Sequence, residues 1–284
     1  MTDRRLRLRS ALFTPGMEAA RLRKAVTVGA DICIFDLEDS VPAARVAEAR
    51  QTVSRALEEL SGQTRIWVRV HAASNPQMAD DLAAVALDKA DGVMLPKAGG
   101  AADLAACRAA IAAAKGPSAL PLIPIIESAA GVLNAPEIAR FGGVLCLALG
   151  RFDLAADTGI DPDSTSPVLA AARAAIVLNS RVAELHPPLD SPWIRMADLD
   201  GLRAAAQRGR ADGFGGMLLI HPSHIETVNE VFSPTDDEIA WARSIAASAE
   251  RATAEGRGAY ARDGEMVDEA IIRRARAILE QASD

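Results

Sequence analysis

Short apolar segments recur along the whole chain and are separated mostly by alanine-rich stretches of helical character. No hairpin dipeptide joins one segment to the next, so parallel strands with crossover helices are expected. Eight such strands are the number that closes a TIM (β/α)8 barrel. An open doubly wound sheet is the alternative, but no GxGxxG sequence follows an early strand. The predicted strands are 10–15, 31–36, 65–70, 91–96, 120–126, 144–150, 191–196 and 216–221.

The last predicted strand is followed by a segment that a minimal barrel does not require. An N-cap signal at Ser233 or Thr235 precedes apolar residues at helical spacing, and a polar bend leads into a final helix. We therefore predict an α/β fold with a barrel domain at residues 1–225. Residues 226–284 are predicted to form a C-terminal helical arm that packs on a neighbouring subunit.

Composition limits the classes of function. The formal net charge of −7 and the few aromatic residues argue against a nucleic-acid-binding surface. No apolar run reaches the roughly 18 to 20 residues needed to span a membrane. The three cysteines show no CxxC spacing and no disulfide pattern. A cytoplasmic protein without membrane or nucleic-acid partners is expected.

Two carboxylates end consecutive apolar runs. Glu127 follows LIPII, and Asp153 comes shortly after VLCLALG, with a helical stretch between the two runs. A right-handed crossover would make these strands parallel neighbours, so both acids would leave the sheet at its C-terminal rim. Two such carboxylates would suit Mg²⁺, which prefers oxygen ligands. The alternative is that each acid caps the helix that follows it.

Other charged residues occur at the ends of predicted strands. Asp36 and Glu38 end the second strand, Arg69 lies near the end of the third, and Lys97 follows the fourth. Arg69 needs carboxylate partners. These are either Asp36 or Glu38, in a structural role, or a substrate carboxylate held by two hydrogen bonds. Lys97 either joins a network of acids, which we favour, or forms a Schiff base as in metal-free aldolases.

Two further segments are candidates for ligand contacts. A basic N-terminal cluster on an acidic protein suits a phosphate-bearing cosubstrate such as coenzyme A, and within it Arg21 and Lys24 fall on one helical face. The polar segment TGIDPDSTSP, followed by a helix from about Val168 to Glu184, is either a lid on the site or an ordinary surface loop. The remaining basic residues of the cluster are Arg4, Arg5, Arg7, Arg9 and Arg23.

The ordered set of these motifs resembles the citrate lyase beta subunit-like branch of the HpcH/HpaI aldolase family. The resemblance extends over nearly the whole chain, and its order is more specific than any single motif. It is carried by RSALFTPG, RLRKA, ADICIFDLEDSV, the strand ending in Arg69, DGVMLPK, LIPIIES, GRFDLAADTG, DGFGGMLLIHP and GEMVD.

The resemblance implies a Mg²⁺-dependent barrel enzyme that makes or breaks a carbon–carbon bond in a 3-hydroxyacyl-CoA. Malyl-CoA and citramalyl-CoA are the usual substrates, and the products are an acyl-CoA and a 2-oxo acid. By position, Glu127 and Asp153 match the metal ligands and Arg69 the substrate-binding arginine. Asp36, Glu38 and Lys97 match the surrounding polar network.

The same resemblance gives the arm a role. Asp268, in GEMVD, matches an aspartate that a neighbouring subunit inserts as acid or base, which implies an oligomer, commonly a trimer. Four positions depart from the family pattern: Phe152 stands where Glu is usual, His71 where Asn is, Met217 where Lys is and His224 where Gln is. A citryl-lyase subunit acting on an acyl-carrier-protein thioester, or a non-catalytic metabolite-binding homologue, is the alternative.

Overall fold

Eight parallel strands close a barrel in sequential order in the computed structural model, which describes residues 7–163, 165–254, 259–262 and 264–283. The first strand pairs with both the second and the eighth, with Leu12 opposite Cys33 on one side and Leu219 on the other. The predicted TIM barrel is confirmed. Its strands are β1 (Ser10–Pro15), β2 (Ile32–Asp36), β3 (Arg65–Arg69), β4 (Gly92–Leu95), β5 (Leu122–Ile126), β6 (Ala148–Leu149), β7 (Leu189–Asp190) and β8 (Gly216–Leu219).

Helices surround the barrel and bury one face against it. In the second helix the residues Val46, Ala49, Val53, Leu57 and Leu60 are buried, at the three- and four-residue spacing of one helical face. The helices of the barrel are α1 (Ala19–Ala25), α2 (Val46–Leu60), α3 (Gln77–Ala84), α4 (Ala101–Ala113), α5 (Ala129–Leu133), α6 (Ala135–Ala139), α7 (Arg151–Thr158), α8 (Pro167–Val182), α9 (Leu199–Asp212) and α10 (Ile225–Val231).

Alternate residues of each strand enter two separate cores. Trp67 belongs to a cluster inside the barrel, whereas its neighbour Val68 belongs to the layer between strands and helices. Gly92 makes room for Trp67, because a Cβ at position 92 would overlap the indole ring. The alternation expected along β3 is therefore present, and it directs Arg69 to the same side as Trp67.

The seventh strand differs from the prediction. It comprises Leu189–Asp190, and residues 191–196 are irregular. After Asp190 the hydroxyl of Ser191, a side-chain group, donates to the carbonyl of Leu149 at 2.7 Å. Pro192 has no N–H to continue the ladder. The prediction of a strand at 191–196 was therefore wrong, although the segment is as apolar as a strand.

The C-terminal arm forms its own small core. It contains α11 (Asp236–Ala254), β9 (Tyr260–Arg262), β10 (Glu265–Val267) and α12 (Glu269–Ser283), and β9 and β10 pair as an antiparallel hairpin. The two predicted helices are present, but the hairpin was not predicted. Thr235 caps α11, since its hydroxyl accepts from the N–H of Glu238 at 3.2 Å and the Glu238 carboxylate accepts from the N–H of Thr235 at 2.8 Å.

The eighth barrel helix, α10, packs against α9, β1 and β8. It begins at Ile225, so most of it lies beyond residue 225, after which we predicted the arm to start. The separate core of the arm contains buried residues of α11, β10 and α12, against which Tyr260 of β9 packs. The division of the chain into two domains stays a prediction.

In the described ranges, no helix combines the length and the apolar character needed to cross a membrane.

Candidate active site

A cavity of about 380 Å³ opens where the strands end, and four of the predicted site residues line it. Asp36 is the last residue of β2 and Arg69 the last of β3. Glu127 directly follows β5, and Asp153 lies in the first turn of α7, which follows β6. Parallel connectivity brings these four residues from distant parts of the sequence to one rim of the barrel.

Glu127 is a buried carboxylate with little to balance its charge. Its side chain is 7% exposed, and Oε1 accepts a 2.7 Å hydrogen bond from the backbone N–H of Lys97. Burial, and then the negative charge of Asp153, raises the pKa of Glu127 to about 8. Gly150 permits this placement, because a Cβ there would lie 2.6 Å from the Cβ of Glu127 and overlap Oε2.

The two acids do not serve as helix caps. The cap of α5 is Ser128, whose hydroxyl accepts from the N–H of Gly131 at 3.1 Å. The N-cap of α7 is Gly150, and Asp153 lies two positions inside the helix from its first residue. Of the two interpretations of this pair, the structure therefore disfavours capping.

A divalent cation fits these residues. Two carboxylates that share a cavity repel each other, and a cation between them stabilises their charged forms. Mg²⁺ binds proteins through one or two carboxylates and fills its other positions with water and substrate. No group of three or more His, Cys, Asp and Glu side chains suited to a metal exists in the described part of the chain. Glu127 and Asp153 would thus supply an oxygen site that leaves room for a ligand.

Arg69 is held by Asp36. Nε and Nη2 of Arg69 donate to the two carboxylate oxygens of Asp36 at 2.6 and 2.7 Å, and Nη1 donates to Asp39 at 3.1 Å. The ring of Phe13 lies 4.5 Å from the guanidinium carbon. Burial would lower the pKa of Arg69, but Asp36 and the other acids outweigh it and raise that pKa. The two-bond contact with Asp36 is therefore structural, and Nη1 lies between the carboxylates of Asp39 and Glu38.

Asp36 stays ionised in this arrangement. Burial would raise its pKa, but the hydrogen bonds and charge of Arg69 outweigh burial and hold the pKa of Asp36 below its ordinary value. The hydroxyl of Ser40 also donates to Asp36. Sequence reasoning missed Ser40 and Asp39, although both directly follow the predicted acids and line the cavity.

Glu38 and Lys97 lie behind the cavity lining. Nζ of Lys97 donates to Oε1 of Glu38 at 2.7 Å, and Nη1 of Arg69 lies 3.3 Å from Oε2. Burial raises the pKa of Glu38 even though both cations oppose it. Burial would lower the pKa of Lys97, but Glu38 outweighs it and raises that pKa. A protonated lysine is a poor nucleophile, so the geometry favours the network over a Schiff base.

The remaining predicted residues lie outside this cavity. Asp268 is exposed on the arm, where its Oδ1 accepts from the N–H groups of Ala270 and Ile271 at 3.0 and 3.1 Å and so caps α12. Arg21 and Lys24 line a neighbouring cavity of about 280 Å³. That cavity shares Phe13, Pro15 and Ile220 with the central one. Arg4 and Arg5 lie outside the described residues.

Of the four departures from the family pattern, only Phe152 lines the central cavity. His71 binds the carboxylate of Asp81 through Nδ1 at 2.7 Å. His224 is buried, with Nε2 3.2 Å from the carbonyl oxygen of Met196. Met217 lines a second cavity, which also contains described residues of the predicted lid. Sequence reasoning also missed Arg151, which precedes Phe152 and lines both cavities.

Solved structures with this architecture include CitE from Mycobacterium tuberculosis in complex with magnesium, acetoacetate and coenzyme A. That structure superimposes with a TM-score of 0.82 at 29% sequence identity, covering 99% of this chain and 100% of the other. The citrate lyase beta subunit of the same organism, complexed with oxaloacetate and magnesium, gives a TM-score of 0.68 at 29% identity. It covers 81% of this chain and 99% of that one.

Sequence comparison gives the same grouping. The (3S)-malyl-CoA thioesterase of Cereibacter sphaeroides is 36% identical over 277 residues, and the L-malyl-CoA/beta-methylmalyl-CoA lyase of Rhodobacter capsulatus is 36% identical over 300 residues. Each alignment covers 96% of this chain and 94% of the relative. The sequence model of the HpcH/HpaI aldolase/citrate lyase family matches residues 9–222. The chain therefore belongs to the HpcH/HpaI aldolase/citrate lyase family.

Proposed function

We propose that this protein is a Mg²⁺-dependent carbon–carbon lyase that cleaves a 3-hydroxyacyl-CoA such as malyl-CoA or citramalyl-CoA. The products are an acyl-CoA and a 2-oxo acid. The observation that carries the proposal is the convergence of Glu127, Asp153 and Arg69 on one cavity. The relatives named malyl-CoA lyase, which match nearly the whole chain, support it.

In this proposal Glu127 and Asp153 hold Mg²⁺. The bound ion supplies Lewis-acid polarisation of an oxygen at the reacting carbon. The protein's own contribution is to bring both carboxylates to one cavity and to orient Glu127. The N–H of Lys97 positions Glu127, and the missing side chain at Gly150 leaves the space that Glu127 occupies.

Cleavage transfers negative charge to the thioester. The hydroxyl of the substrate gives its proton to water, the carbon–carbon bond breaks as this oxygen becomes the carbonyl of the 2-oxo acid, and the electron pair of that bond forms an enolate. The enolate carbon then takes up one proton, so the number of protons is unchanged overall. Arg69 lines the cavity and is oriented by Asp36, so the positive charge of its guanidinium is placed to stabilise that enolate. The guanidinium of Arg69 needs no reorientation during the reaction, because Asp36 already orients it.

The proton at the acyl carbon is assigned to Asp268 of a neighbouring subunit. Within one chain Asp268 caps α12 and is absent from the described lining of the cavity. An exposed carboxylate on a separately packed arm is available to a second copy. This assignment makes the protein an oligomer, for which we propose a trimer with the arm of each subunit packed on the next.

The thioester carrier is proposed to bind over Arg21 and Lys24. These cations line the cavity next to the central one. Phe13 and Pro15 line both cavities, so the two cavities adjoin. Phosphate groups of coenzyme A would meet the cations, and the thioester would extend toward Arg69. We also propose a cytoplasmic location, which the three buried free cysteines support.

The test is cleavage of malyl-CoA and citramalyl-CoA, followed by the release of 2-oxo acid. We expect turnover with Mg²⁺, none with EDTA and none in Glu127→Ala. Glu58→Ala, a substitution on the exposed face of α2, is the matched control and should retain full activity. Cleavage that persists in EDTA or in Glu127→Ala would refute the proposal, as would no cleavage of either ester by protein shown to bind Mg²⁺.

A second candidate is hydrolysis of the thioester, which the 36% identity to a (3S)-malyl-CoA thioesterase favours. The two reactions differ in products, because hydrolysis releases free CoA and leaves the carbon–carbon bond intact. Measuring free thiol beside 2-oxo acid separates them. Free thiol without 2-oxo acid would establish the thioesterase, and activity only with a thioester on an acyl carrier protein would indicate the citryl-lyase alternative.

A further inference from the structure

A second cavity, of about 260 Å³, adjoins the central one and shares Arg151 and Pro192 with it. It lies under the segment that links α7 to α8, with the first turn of α8 and the inner face of α9 as further walls. Three arginines and three aspartates line it: Arg151, Arg173, Arg208, Asp163, Asp190 and Asp212. The formal charges of these six side chains sum to zero, but the ion pairs do not match each arginine of the cavity with one aspartate.

The three aspartates are bound closely to only two arginines. Arg173 donates to Asp190 at 2.7 Å and to Asp212 at 2.9 Å. Asp163 accepts from Arg195 at 2.6 Å, and Arg195 is not part of the described lining. The carboxylates are therefore satisfied, and the charges of Arg151 and Arg208 remain largely unbalanced.

Arg151 is largely buried, and its guanidinium carbon lies 4.7 Å from the centre of the Phe152 ring. Its side chain is 13% exposed, and its closest carboxylate, Asp163, lies 3.4 Å from Nη1. The carbonyl of Pro162 accepts from the same Nη1 at 3.2 Å, while the buried Nε has no partner among the described residues. Its backbone is fixed, because the N–H of Arg151 donates to the hydroxyl of Ser191 at 2.7 Å. A buried cation with so little compensation is costly unless an anion joins it.

Two independent features of the same cavity also favour an anion. Arg208 lies on the solvent-exposed part of α9 at the cavity wall and makes no ion pair within the described ranges. Helix α8 is 16 residues long and begins at Pro167, after the N-cap Ser166. Leu169 and Ala170 of its first turn line the cavity, so the positive end of the helix dipole lies at the cavity wall. The cavity volume accommodates a small molecule of a few heavy atoms.

We propose that the second cavity binds a small dianion, a dicarboxylate or a phosphate group, through Arg151 and Arg208. This site is separate from the one that holds Glu127 and Asp153, and it does not depend on the proposed lyase activity. Because Arg151 belongs to both cavities, the bound anion would neutralise a charge on the wall of the catalytic cavity, next to Phe152 and Asp153.

Isothermal titration calorimetry on the full-length protein in EDTA tests the site without metal or turnover. Succinate and inorganic phosphate are the probes, and acetate is the singly charged control. We expect saturable binding of at least one dianion and binding at least tenfold weaker for acetate. Binding of succinate alone identifies a dicarboxylate site, and binding of phosphate alone identifies a phosphate site; either supports the proposal.

The location is tested with two variants on α9. Arg208→Met should weaken dianion binding at least tenfold. Arg203→Met is the matched control, since Arg203 pairs with Glu230 at 2.7 Å away from the cavity, and its binding should equal that of the wild type. No saturable binding of either dianion at millimolar concentration would overturn the proposal. Equal binding by wild type and Arg208→Met would also overturn it, because the anion would then lie elsewhere.

Discussion

Protein stripped of divalent cations should lose stability as the pH rises from 5 to 8, and Glu127 should be the cause. The pKa of Glu127 is about 8 in the folded protein against an ordinary value of 4.5. Below pH 4.5 the carboxyl is protonated in both the folded and the unfolded state. Between pH 4.5 and 8 the unfolded chain releases this proton while the folded protein retains it, so the free energy of unfolding falls. Above pH 8 the loss is complete.

The size of the effect follows from that interval. One pH unit corresponds to about 1.4 kcal/mol, so the two pKa values set an upper bound of about 5 kcal/mol on the lost free energy of unfolding. Water entry and relaxation around an ionised Glu127 reduce this figure, and about 3 kcal/mol is a reasonable expectation. At about 2 to 4 °C per kcal/mol for a chain of this size, the melting temperature should fall by about 10 °C.

Thermal melts followed by circular dichroism at pH 5, 6, 7 and 8 in EDTA measure this decline. Glu127→Gln should be more stable than the wild type at pH 8 and should lack the decline, whereas Glu58→Gln should behave like the wild type. Mg²⁺ should restore the wild type at pH 8 through preferential binding to the folded state, but it should not stabilise Glu127→Gln. Parallel pH profiles for the wild type and Glu127→Gln would refute the reasoning.

Three further substitutions separate the roles of individual residues. Arg69→Lys removes the two-bond contact with Asp36 and should lower kcat about 100-fold or more with little change in Mg²⁺ affinity; kcat within threefold of the wild type would contradict this. Asp268→Ala should reduce turnover strongly while costing about 1 kcal/mol of stability as a lost helix cap, and wild-type turnover would exclude it from catalysis. Gly150→Ala should weaken Mg²⁺ binding at least tenfold by displacing Glu127, and unchanged affinity in calorimetry would show that the carboxylate tolerates the added methyl group.

Hydrophobic patterning predicted most of the barrel because each strand is a short apolar run between helical segments. The crossover rule then placed Glu127 and Asp153 at the same rim without any coordinates. Hydrophobic patterning failed at residues 191–196. Pro192 and Trp193 are apolar there, but they line a cavity and do not lie in a strand. Hydropathy does not distinguish these two reasons for burial. The hairpin of the arm was missed because its two strands are only three residues long.

The contacts within the site were harder to predict than its members. Sequence placed Arg69 among acids but left open whether it grips Asp36 or a substrate, and that choice depends on distances of a few tenths of an ångström. Arg151 and Arg208, on α7 and α9, were not recognised as lining one cavity because 57 positions separate them in the sequence. The proposed role of Asp268 requires a second chain, whose placement no single sequence specifies.

Lys97 connects two carboxylates through its two ends. Its backbone N–H donates to Glu127, and its ammonium group donates to Glu38. The backbone has a φ of +51°, in the left-handed region that glycine and asparagine enter more readily than lysine. Glycine at this position would therefore keep the contact to Glu127 and remove only the positive charge beside Glu38. During divergence of related sequences, the charge of the arginine–acid network can thus change at position 97 while Glu127, the proposed metal ligand, keeps its orientation.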